Sequence, residues 1–133
     1  MFRNLFGKKG PHLTGAPAVR RMKTYSAATG YVYHYFYEGH QPRATGEDTG
    51  LEYIFSISPD RKTWHVTAVF VSDGSVGGWE TAHERTLSST ERYAVAKLAL
   101  FQAFDERPTP AWMKDTVCVR QADVDGIIET LDL

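Results

Sequence analysis

With a single cysteine, Cys118, in 133 residues, the chain cannot close an internal disulfide. A disulfide scaffold is excluded, and a reducing compartment, the cytoplasm, is the expectation. No apolar run approaches the ~20 residues that span a bilayer. The opening MFRNLFGKKGPHLTGAP is basic at its start but has no continuous apolar core, so it reads poorly as a signal peptide. No internal repeat or low-complexity tract occurs. The five histidines, His12, His34, His40, His65 and His83, are never spaced as H-x-H, H-x3-H or HExxH. Only a pair assembled in space, His34 with His65, is left as a metal candidate. Neither G-x-G-x-x-G nor G-x4-G-K-[ST] is present. The expectation is therefore no metal and no cofactor.

What is present is ordinary globular composition, 42% hydrophobic and 23% charged, enough for one domain with its own core. The net charge is -1 but unevenly placed. Through Arg43 the chain carries Arg3, Lys8, Lys9, Arg20, Arg21, Lys23 and Arg43 against Glu38 alone. Residues 1–22, rich in glycine and proline and without a period, read as a flexible basic arm on a single domain, 23–133. Lys8, Lys9, Arg20, Arg21 and Lys23 are its anion-binding candidates, and nucleic acid is one partner they suit. No five basic residues run together, so a solvated tail, or one folded back on the acidic body, is the simpler reading.

Thr24 to Tyr37, dominated by β-formers and aromatics, predicts a long strand kinked at Gly30. EGHQPRATGEDTG follows as a polar connection. LEYIFSIS and KTWHVTAVFV alternate around SPDR, predicting a hairpin. Closure by Ser58 and Arg61 would oppose Phe55 to Trp64, Tyr53 to Val66 and Leu51 to Ala68. SDGSVGGWE reads as a loop. Its amides could cradle a phosphate, although a flexible turn is simpler, and DGSVGG matches only half of a G-x-S-x-G nucleophile elbow. Ser88 and Glu91 form a capping box that opens a helix to about Glu106. This helix is apolar around most of its girth and needs cover on more than one side. After a proline-pinned loop, TVCVR is a short strand, with Cys118 read as an inert core thiol. Val124, Ile127, Ile128 and Leu131 then give a final helix. The order β-β-β-α-β-α predicts an α+β domain: an antiparallel sheet of three to four strands with two helices on one face.

The most distinctive stretch is GYVYHYFYEGH, Gly30 to His40. Period two puts Tyr31, Tyr33, Tyr35 and Tyr37 on one face and Val32, His34 and Phe36 on the other. Burying the tyrosines would require partners for several hydroxyls. The expected arrangement therefore buries Val32 and Phe36, makes His34 a structural core histidine, and leaves the tyrosines as an amphipathic ladder beside a surface-facing His65. Tyrosine favours such interfaces. The functional expectation is a non-catalytic binding or scaffold domain that self-associates. The alternatives are a small-molecule pocket or enzyme site walled by the tyrosines, His34 and His65, and nucleic-acid binding through the arm and an aromatic sheet.

Overall fold

The predicted strand Thr24 to Tyr37 is two strands, and the tyrosine-rich stretch falls in the second. A computed structural model describes residues 13–132. Their order is β1 (Lys23–Ser26), β2 (Val32–Thr45), β3 (Asp48–Ser58), β4 (His65–Ser72), α1 (Asp73–His83), α2 (Ser89–Glu106), a 3-10 turn (Pro110–Lys114), β5 (Val117–Val119) and α3 (Gln121–Leu131). The sheet order is β1-β2-β3-β4-β5, antiparallel except that β5 runs parallel to β4. The α+β class holds, but the sheet is mixed and five-stranded, and the described helices are three. The parallel pair follows from connectivity: two helices lie between β4 and β5, and such a crossover brings the chain back in the same direction.

Three local features depart from expectation. The kink at Gly30 is a full turn, in which the Ala27 and Tyr31 backbones bond at 2.8 Å. The polar EGHQPRATGEDTG segment is not a loop: residues 38–45 are the second half of β2 and 48–50 open β3, with a two-residue turn at Gly46 and Glu47. Pro42 is tolerated there because β1 stops at the level of Tyr35 and leaves β2 at the sheet edge. SDGSVGGWE is helical. Ser72 caps α1 by accepting from the Ser75 amide at 3.1 Å, and a side chain at Gly78 would collide with Gln121 of α3. The atoms it would meet are the terminal amide of the Gln121 side chain. The capping box of α2 forms as the sequence implies, as does the buried Val124, Ile127 and Ile128 stripe of α3.

The β3–β4 register is shifted by three residues from expectation: Phe55 faces Thr67, Tyr53 faces Val69 and Leu51 faces Val71. The cause is the connecting loop. Asp60 Oδ1 accepts from the Lys62 and Thr63 amides, each at 2.8 Å, while Ser58 Oγ accepts from the Asp60 and Arg61 amides at 3.2 and 2.7 Å. This turn delays the return strand until His65. An odd shift exchanges the faces of β4. Trp64 therefore leaves the core and lies against Phe36, ring centroids 5.3 Å apart, on the opposite sheet face.

The tyrosine ladder is also reversed. Tyr33 and Tyr35 are 0% and 4% exposed and join the core, whereas Val32 is 41% exposed. Helix α2 decides the face. Phe104 stacks on Tyr33 at 4.2 Å, and Phe101 stacks on Tyr25 at 4.4 Å and meets the edge of Tyr35 at 5.8 Å. An apolar helix offers aromatic faces more contact than Val32 would supply. Of the hydroxyls on this face, Tyr25 donates to Asp105 at 2.7 Å and Tyr37 bonds to His40, whereas that of Tyr33 is buried without a partner among the described residues.

The other sheet face carries polar networks instead of helices. Glu38, nearly buried, takes two bonds from Arg20 at 2.8 and 2.6 Å and one from Ser56 at 2.5 Å. Glu52 takes bonds from Gln41 and Arg43. The part of the 1–22 segment within the described residues thus lies on the body, and Thr14 forms a two-bond bridge with His40. Among the described residues, no helix is long and apolar enough to cross a membrane.

Candidate functional site

The tyrosine stretch reaches a cavity only at its far end, and a bulge brings it there. The β2–β3 register slips between Tyr37 and Gly39. Up to the bulge, odd-numbered side chains of β2 face the helices; beyond it, even-numbered ones do. His40 therefore crosses to the tyrosine face, opposite Tyr53. Gly39 has φ +127 and lies under the leading segment, where a side chain would press on Leu13 and the Thr14 carbonyl. Only glycine satisfies both conditions.

The Ser88–Glu91 box fixes the first turn of α2 above these strands, with Ser88 Oγ accepting from the Glu91 amide at 3.1 Å. That turn brings Tyr93 against Tyr37 (4.7 Å) and Tyr53 (6.2 Å), and Arg92 beside them. His40 packs on Tyr53 at 5.4 Å, and its Nδ1 lies 3.1 Å from the Tyr37 hydroxyl. With Leu51, Gly15, Ser89 and Thr90 these groups line an open cavity of about 250 Å³. No carboxylate is among the groups that line it.

Burial governs the protonation of the tyrosines. It raises the pKa of Tyr37, with smaller contributions from neighbouring Tyr53 and Tyr93. It raises Tyr93 as well, and raises Tyr53 against an opposing pull from the Arg92 charge. All three hydroxyls stay protonated at neutral pH, so Tyr37 can donate to His40 Nδ1 and hold the imidazole. The arrangement offers aromatic faces, one oriented histidine and one guanidinium. It does not pair a nucleophile with a base, which acyl-transfer chemistry requires.

A second cavity, about 350 Å³, lies where the N-termini of α1 and α3 approach β4 and β5, with Phe70, Cys118, Arg43 and Arg120 on its wall. It contains the DGSVGG segment that suggested a phosphate cradle. Its cations are already matched, Arg43 with Glu52 at 3.0 Å and Arg120 with Asp123 at 3.2 Å, and Asp48 adds negative charge. Cys118 is exposed here rather than inert in the core.

The expected site residues separate. Tyr37 lines the first cavity, Tyr33 and Tyr35 are core, and Tyr31 is exposed. His34 is not a core residue: it lies on the helix-free face, 3.4 Å from Thr24 Oγ1. His65 is half-buried on the helix-facing side of β4, opposite Ile57. The two rings sit on opposite faces and cannot share a metal. Among the described residues no three His, Cys, Asp or Glu side chains cluster to hold one. Arg20 is paired with Glu38, while Arg21 and Lys23 are exposed. Lys8 and Lys9 lie outside the described residues. His40, Tyr53, Arg92 and Tyr93 were not among the expected site residues. The one sequence signal for His40 was the glycine inside a β-rich run, a mark of a bulge.

No protein-family model matches the chain, and no curated protein or solved structure matches it.

Proposed function

We propose that this chain is a non-catalytic binding domain that takes a small molecule with a flat, apolar body into the Tyr37–Tyr53–Tyr93–His40 cavity. The observation that carries the reading is the convergence of four aromatic rings, from two strands and a helix, on one opening. Core aromatics normally fill the space between elements, whereas these leave about 250 Å³ unfilled. Ligand sites are mostly apolar concavities with a few placed polar groups, and here those groups are the imidazole and the guanidinium. The small volume restricts the occupant to about one ring with its substituents.

The reading favours binding over catalysis because the histidine that lines the cavity, His40, is held by a tyrosine rather than by a carboxylate. Saturation-transfer NMR with a panel of one-ring compounds tests it. Ring protons should receive saturation from the wild-type protein and lose most of it in Tyr93→Ala, which removes the shared wall. Equal saturation in both proteins, or none in either, would rule the cavity out.

A further inference from the structure

Resting on that reading, we infer that the ligand carries a carboxylate, and that Arg92 is the residue that selects it. The Arg92 side chain is 27% exposed at the rim of the cavity. Two acids lie near it, Asp73 at 3.7 Å and Glu80 at 3.9 Å, beyond hydrogen-bond distance. Both acids use an oxygen elsewhere: Asp73 accepts from Thr49 at 3.0 Å, and Glu80 accepts from the Leu87 amide at 2.6 Å. Their other oxygens face the two terminal nitrogens of Arg92 as long ion pairs, which hold the guanidinium in place without a hydrogen bond. Among the described residues the Arg92 guanidinium donates no hydrogen bond, although it carries five N–H groups in a fixed fork.

A half-buried fork with free donors beside an apolar cavity matches a planar carboxylate, which accepts two parallel bonds. A cationic ligand is disfavoured, because the tyrosine faces that would attract it stand next to this charge. A neutral ring would fill the aromatic part and leave the fork unmatched. A carboxylate attached to a ring satisfies both halves of the site.

Benzoate and benzyl alcohol, titrated by calorimetry against wild type, Arg92→Gln and Arg92→Lys, separate the possibilities. Wild type should bind benzoate at least about tenfold more tightly than benzyl alcohol. Arg92→Gln should abolish that preference, weakening benzoate about tenfold more than benzyl alcohol; Arg92→Lys, which keeps charge but not the fork, should fall between. Equal affinity of the wild type for the two compounds would overturn the inference and leave the cavity intact as a site. A preference retained in Arg92→Gln would overturn it as well. Binding of neither compound would overturn the cavity reading and the inference together. Should Arg92→Gln not fold, the wild-type comparison and the lysine variant still decide.

Discussion

Two side-chain atoms, the Tyr33 hydroxyl and His65 Nε2, are buried without a hydrogen-bond partner among the described residues. A buried hydroxyl left unmatched carries a desolvation penalty of roughly 1–3 kcal/mol. Tyr33→Phe keeps the ring on Phe104 and removes that penalty, so it should leave urea-unfolding stability unchanged or raise it by up to about 1 kcal/mol. A loss of more than about 1 kcal/mol would mean that the hydroxyl has a partner. His65 should give the protein an acid-sensitive limb. Burial, followed by the nearby Lys114 charge, lowers its pKa below the ordinary 6.5. Below about pH 6.5 the unfolded chain therefore binds a proton that the native state does not, and stability falls with pH until the folded pKa is passed. Between pH 7.5 and 5.5 the wild type should lose stability that His65→Gln retains. Identical slopes for the two proteins would refute the assignment.

Register is the test at the level of elements. Phe55 lies in the core and Trp64 outside it, so Phe55→Ala should cost about 3–5 kcal/mol, as full-burial truncations do. Trp64→Ala should cost roughly 1–2 kcal/mol, because half-burial against Phe36 forfeits less. Comparable losses would restore the register in which the two rings face each other. What was legible in the sequence were signals contained within a few residues: the Ser88–Glu91 box, the i, i+3, i+4 stripe of α3, and the alternation of β3. What was not legible depended on partners distant in sequence. Asp60 moved the register by capturing amides in its own loop, and a period-two reading of β4 then placed every side chain on the wrong face. The tyrosine face was chosen by Phe101 and Phe104 of α2, some seventy residues away. In DGSVGG the three glycines argued against a helix. One of them, Gly78, lies against the terminal amide of Gln121, a contact that only the folded packing reveals.

At the scale of the whole molecule, the two features that motivated self-association find their cover within the chain. Helix α2 packs on the sheet and against α3, and Tyr33 and Tyr35 lie beneath it. The outermost strands, β1 and β5, are four and three residues long. The edge that β1 leaves open on the second half of β2 carries Pro42 and the Thr14–His40 bridge, and these features discourage strand pairing between copies. Light scattering at micromolar concentration should therefore return the mass of one chain, 15.0 kDa; a dimer would show that another face is sticky. The candidate site could not be read from the strand alone, because its histidine changes face at a bulge and its arginine and third tyrosine come from a helix. Its most direct test is a crystal structure of the protein with benzoate. The ring should lie in the cavity against the exposed sides of Tyr53 and Tyr93, with both carboxylate oxygens on the Arg92 guanidinium. An empty cavity at saturating benzoate, or a ring seated elsewhere, would contradict the account.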